Sequence, residues 1–260
     1  MSKSNWGRWG ADDERGALNH LTPDVIKAAA ASITTGRVYS LGIPIQGQGV
    51  PLLDYRGVPM RLTLQDGTDD GMYASYGAQE GTGAHEDVLV MASHTTSHMD
   101  ALIHVYEGHQ HYNGVPFGEM RALGGAAKLG IEKVGGFAAR AVLLDMVAHM
   151  CIRDSIRTGH LDMWWDNHAK GQPEGFAQAG IGADAANWLA ERDVTAVGSD
   201  NAAVEVIPFD TNDFLIVHKI LLVQCGIYML EHLDLRQAAA DRSYEGVIAI
   251  APLKGTGPTG

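Results

Sequence analysis

Four side chains able to bind a metal crowd into the segment SHTTSHMDALIH, Ser93 to His104. They are His94, His98, Asp100 and His104. Three imidazoles and one carboxylate form an N/O donor set suited to Zn²⁺, Mn²⁺ or a similar divalent ion. No cysteine lies nearby, so a thiolate structural site is not expected. Three protein ligands that leave positions open are the arrangement of a catalytic ion, which polarises a carbonyl and activates water.

The elements around the segment must bend to bring these residues together. Asp87 to Ala92 (DVLVMA) reads as a buried strand. Were it to continue, His94 and His98 would sit roughly 13 Å apart, too far for one ion. A straight helix pairs His94 with His98 but swings Asp100 off that face. The chain is therefore expected to leave the strand near His94, turn through Thr95-Thr96-Ser97 and continue as a short irregular segment.

The spacing resembles the H-x-G-T-H-x-D-x-x-x-H motif of the cyclase superfamily, which includes bacterial kynurenine formamidases and isatin hydrolases. His94, His98, Asp100 and His104 fall on its four metal and catalytic positions. The Gly-Thr pair of the motif is Thr96-Ser97 here, and a β-branched residue tolerates left-handed backbone poorly. The segment Trp9 to Asn19 (WGADDERGALN) is similar to an N-terminal signature of one branch of the family. Further matches are Arg157-Thr158-Gly159, the V-G-x-D element ending at Asp200, His218 with Glu231-His-Leu-Asp-Leu, and the closing Gly255-Thr-Gly-Pro258. The resemblance implies that His218 assists catalysis and that Glu231 can hold a second ion. It also implies an α/β architecture with mixed sheets, the swivelling β/β/α fold, over nearly the whole chain. Relatives carry tens of residues where only Ala148 to Asp154 stand here.

The 260 residues are expected to form a single hydrolase domain, residues 1–260, with an N-terminal arm at about residues 1–20. Hydrophobic residues make up 45%, enough for a substantial core. A net charge of −12 argues against nucleic acid or an anionic membrane surface as partner. Two cysteines, Cys151 and Cys225, make no disulfide framework. No apolar run spans a membrane and no secretory signal is visible, so a cytoplasmic location is expected.

Along the chain, Thr22 caps a helix over Val25 to Ile33, with Pro23 at its first position. Val38 to Ile45 reads as a strand. Residues 46–83 read as one long loop, a lid, an oligomer contact or a plain surface excursion. His109 and His111 read as polar loop residues, with further ligands as the alternative. Arg140 to Val147 reads as a buried strand, and Gly182 to Arg192 as a helix with Trp188 and Leu189 on its apolar side. Asp200, Asn201 and Glu205 either face a site at a strand end or make ordinary turn chemistry. Phe214 to Cys225 reads as a buried helix stopped by Gly226, so that His218 and Glu231 can both reach one site. Gly246 to Pro252 reads as a last buried strand.

The expected activity is metal-dependent hydrolysis of a small amide C–N bond, foremost a cyclic amide such as a lactam or an isatin-like ring. His94, His98, Asp100, His104 and Glu231 would serve as ligands to one or two Zn²⁺ or Mn²⁺ ions. His104 or His218 would move the proton. An arylformamidase, a lactonase and a metal-containing binding protein are the alternatives. A homodimer or higher homo-oligomer acting on a small molecule is expected, with substrate choice residing in residues 46–83 and the N-terminal tryptophans.

Overall fold

The protein, described by a computed structural model, is defined over residues 3–147, 157–172 and 177–260. Helix α1 (Pro23–Ala29) follows the N-terminal arm, and β1 (Met60–Gln65), α2 (Asp70–Ser75) and β2 (Glu86–Val90) come next. Strands β3 (His98–Asp100), β4 (Met120–Arg121), β5 (Gly125–Ala126) and β6 (Phe137–Val142) lead to α3 (His160–Ala169) and α4 (Ala183–Glu191). Then come β7 (Ala196–Gly198), α5 (Ile216–His218), β8 (Tyr228–Glu231), α6 (Arg236–Ala240) and β9 (Glu245–Ile250). The architecture is the expected α/β one, built from several small sheets.

The central sheet has the order β3-β8-β7. β3 runs antiparallel to β8, and β7 runs parallel to it. β8 is buried at all four positions, which fits the apolar run Ile227-Tyr-Met-Leu230. Around it lies the main core, with Leu102, Ile103, Tyr112, Val197, Leu221, Leu222 and Met229. Strands with a buried face on both sides read as continuous apolar runs, and here that run ends in the charged Glu231.

Several elements differ from their sequence-based expectation. Residues 46–83 are not one loop, because β1 pairs antiparallel with β2. The β2 strand exists, but its residues are mostly exposed rather than buried. A two-stranded ribbon has no second layer to cover it, so apolar content alone did not place it inside. No strand forms over Val38 to Ile45, where Gly42 makes only an isolated bridge to Leu233. β6 starts at Phe137, stops at Val142 and is half-buried as one edge of the β6-β9 pair. The last strand, β9, is likewise only half-buried. Trp188 lies on the outer side of α4, 51% exposed, under the Arg192 guanidinium. The segment 148–154 and the residues before Arg157 lie outside the described residues.

The helix expected over Phe214 to Cys225 is two pieces with Phe214 exposed. α5 continues as a π-helical turn over Lys219–Gln224. Such wider turns are often found at functional sites. Gly226 then stops it at φ +63, and the chain turns into β8. A Cβ at Gly226 would meet Tyr112 Cε2 at 2.7 Å and Gly16 Cα at 2.9 Å. The N-terminal arm approaches this closely because Ala17 N donates to Gly226 O at 2.8 Å. Trp6 Nε1 donates to Val223 O nearby, so this tryptophan braces the π-turn. Left-handed strain and overpacking together should cost Gly226→Ala about 2–5 kcal/mol. A melting curve should show Tm lowered by at least about 5 °C. An unchanged Tm would mean that the arm is not held against this turn.

Candidate metal centre

Strand geometry places the first three groups. His98 and Asp100 are two apart on β3 and so share a face. The β3–β8 register sets Glu231 directly opposite His98, where cross-strand side chains are in contact. His98 Nε2 lies 3.2 Å from Glu231 Oε2 and 3.5 Å from Asp100 Oδ1. The expected turn through Thr95-Thr96-Ser97 brings His94 back over the end of β3, with Nδ1 2.9 Å from Asp100 Oδ1. Thr96 keeps the left-handed angle, φ 59, despite its branched side chain. The segment after the turn is not irregular but is β3 itself.

His104 stacks on His94 with ring centroids 4.0 Å apart, and its Nε2 is 4.0 Å from Asp100 Oδ1. His218 arrives from α5, its Nε2 3.7 Å from Asp100 Oδ2 and 3.6 Å from Glu231 Oε1. All six residues singled out from the sequence therefore meet at one place. His109 and His111 do not join them. His111 is turned away, its Nδ1 bonded to Val105 O at 2.9 Å.

Among the described residues, two ligand sets emerge, His94-Asp100-His104 and His98-Asp100-Glu231, and Asp100 belongs to both. Within these sets His94 Nδ1, His98 Nε2 and both Asp100 oxygens are buried, yet none makes an aligned hydrogen bond. Buried polar atoms are normally satisfied. Convergent orphaned donors of this type fit a divalent ion, and the N/O set suits zinc or manganese.

The family comparison agrees with this geometry. The Cyclase family model matches residues 39–206. A solved structure described as a novel cyclase is 32% identical, with 99% of this chain and 94% of that chain covered and a TM-score of 0.86.

The chain belongs to the cyclase family.

Its fold is shared with isatin hydrolase A from Ralstonia solanacearum, 19% identical with a TM-score of 0.53, over 92% of this chain and 95% of that one. An isatin hydrolase bound to the product analogue thioisatinate is 14% identical with a TM-score of 0.54, over 92% and 95% of the two chains. Comparison with curated proteins gave no match.

The electrostatics of this cyclase-family site follow from two buried carboxylates. Burial works against the charge of Asp100, but His104, His94 and His98 hold its carboxyl well below the usual range. Burial and Asp100 both push Glu231 up, yet His218 and His98 outweigh them and leave it lowered. Burial likewise opposes the charge on His98, and the close Asp100 and Glu231 carboxylates overcome it, raising His98 to about 10. His218 rises to about 10 because Glu205 and Glu231 outweigh its burial. Burial wins at His104, which falls to about 4 and is neutral at pH 7.

A pH dependence follows. His98 and His218 have raised folded values, so the metal-free chain holds their full stabilisation below pH 6.5, the unfolded value. It loses that stabilisation as pH climbs from 6.5 through about 10. Chemical denaturation of the metal-free chain between these limits should show falling stability, and metal uptake at pH 7 should release protons. Calorimetry giving the same apparent enthalpy in buffers of different ionisation enthalpy would contradict the release.

Two residues position the site histidines, and of these Thr259 is absent from the sequence analysis. Glu205, fully buried, bonds His218 Nδ1 and accepts from the backbone N–H groups of Val217 and His218 at 3.3 and 3.4 Å. It therefore caps α5 and fixes which imidazole nitrogen faces the carboxylates. Its place near a site was one of two readings, and spacing could not choose between them. Thr259 Oγ1 lies 2.7 Å from His94 Nε2, leaving Nδ1 for the cluster. Similarly, His98 Nδ1 bonds Thr96 O at 2.9 Å. Such partners orient ligand histidines and often change metal affinity 10–100-fold. Asp200 instead accepts from Thr158 and Gly159, and so ties α3 to the end of β7.

Proposed function

We propose that this chain is a metal-dependent hydrolase of a small amide C–N bond, with a cyclic amide as its foremost substrate class. The observation that carries the reading is the pair of ligand sets sharing Asp100, in which His94 Nδ1, His98 Nε2 and both Asp100 oxygens are buried without an aligned hydrogen bond. His94, His98, Asp100 and Glu231 would hold one or two divalent ions, with His104 as a ligand of the second set or as proton carrier. When bound, such an ion supplies Lewis acidity at a carbonyl and makes water nucleophilic near neutral pH. The choice of an amide follows the motif resemblance and the names of the isatin hydrolases sharing this fold.

The chain's own groups then divide the work. His104 is neutral at pH 7, and its side chain is a quarter exposed while Asp100 is closed off. It can take a proton at Nε2 and return it to a leaving nitrogen. His218, locked through Nδ1 by Glu205, presents Nε2 to Asp100 and Glu231 and keeps both carboxylates in register. Substrate screening of the metal-loaded chain across lactams, formanilides and lactones tests the reading. Lactam turnover exceeding the other two by at least tenfold is expected. Formamide preference would make it an arylformamidase, ester preference a lactonase, and no turnover a binding protein.

A second copy of the chain is proposed as the partner. On β1 and β2 the paired residues Met60 and Val90, with Leu62 beside them, are exposed on one face. A two-stranded ribbon is marginal alone and needs cover for such a face. Light scattering should give a dimer or larger that Leu62→Asp converts to monomer. No helix among the described residues is long and apolar enough to cross a membrane.

A further inference from the structure

Beside the metal cluster, on the His94 side, lies a second group of polar side chains that the ligand sets do not use. Residues 51–53, Arg56 and Gly57 line a small space together with the turn at His94 to Thr96 and His232. The space enclosed takes about one water molecule. Thr95, Thr96 and His232 are each more than nine-tenths buried. The hydroxyls of Thr95 and Thr96 and Nδ1 of His232 have no hydrogen-bond partner. Arg56 reaches in from the loop and donates through Nη1 to the carbonyl of His94. Among the described residues no carboxylate pairs with the Arg56 guanidinium, whereas Arg61, Arg140, Arg157 and Arg236 each have one.

Two costs coincide at Thr96. Its backbone sits at φ 59, where a β-branched residue is strained, and its buried hydroxyl is unpaired. A glycine would remove both. Strained backbone and unsatisfied polar groups gather where a ligand is held.

We infer that Arg56, Thr95, Thr96 and His232 form a subsite for a carboxylate group carried by the substrate, so that the amide hydrolysed next door is an anionic one. The inference rests on the proposed hydrolase reading for the words "substrate" and "amide", but the subsite itself does not depend on turnover. A guanidinium with hydroxyl donors is a carboxylate receptor, and its forked N–H groups accept a planar oxyanion. A space with room for about one water molecule suits one carboxylate oxygen, not a tetrahedral phosphate. The second oxygen would face Arg56 on the loop side. This gives Arg56 and its loop a role in substrate selection.

The test is a calorimetric titration of the zinc-loaded full chain with acetate and with succinate. Acetate can occupy only one of the two places, the metal cluster or the subsite. Succinate can bridge them. Succinate is expected to bind at least about tenfold tighter than acetate. Arg56→Met should abolish that advantage while leaving zinc content as in wild type. Thr96→Val, which keeps the shape and the branched backbone but removes the hydroxyl, should reduce the advantage severalfold. Wild-type protein that does not prefer succinate would overturn the subsite. So would an Arg56→Met variant that retains the preference, or one that weakens both anions equally. Failure to hydrolyse any amide would instead remove the enzymatic reading and leave the titration result standing.

Discussion

His98→Ala is expected to lose bound metal and activity together, with kcat/KM down by at least about 10³. The residue stands between Asp100 Oδ1 and Glu231 Oε2, at 3.5 and 3.2 Å, and touches both carboxylates of its ligand set. Its removal leaves two buried like charges facing each other, so the metal-free variant should also be less stable, by about 3–5 kcal/mol. His104→Ala gives the contrast. If His104 moves protons, kcat falls by about 10²–10⁴ while metal content holds. Equal metal loss in the two variants, measured by elemental analysis of dialysed protein, would make His104 a structural ligand and leave proton transfer to His218.

Glu231→Gln decides how many ions the site holds. The substitution keeps the shape and removes the charge. Glu231 belongs to the set His98-Asp100-Glu231, and Asp100 also belongs to the set with His94 and His104. Two ions bridged by Asp100 should become one in the variant, with kcat down by at least about 10². If Glu231 only orients His98 and His218, stoichiometry should stay fixed and activity should change 10–100-fold. Titration of the metal-free chain, wild type and variant side by side, separates the cases. Saturation at one ion per chain in both would exclude the bridged pair.

The donor residues were legible because their identities and spacing carry the chemistry. His98 and Asp100 share a face by strand periodicity, and Gly226 marks the break that returns Glu231 to His218. What could not be read were contacts between residues far apart in the chain. The bond from Glu205 to His218 and the one from Thr259 to His94 join loops that no local pattern connects. The exposure of β2 was missed for a related reason, and β1, inside the segment read as a loop, was not foreseen as a strand. Alternation and apolarity define a strand, but only the number of covering layers decides whether it is buried. Trp6 likewise meets Val223 through a bond between distant segments, which braces the His218 element.

The central claim is that the buried histidines and carboxylates exist to hold a divalent ion. Metal analysis of the purified, dialysed chain tests it most directly, paired with an activity assay before and after chelation. About one or two zinc or manganese ions per chain are expected, with activity abolished by chelator and recovered on adding the ion back. A chain that carries no bound metal and keeps full activity in chelator would contradict it.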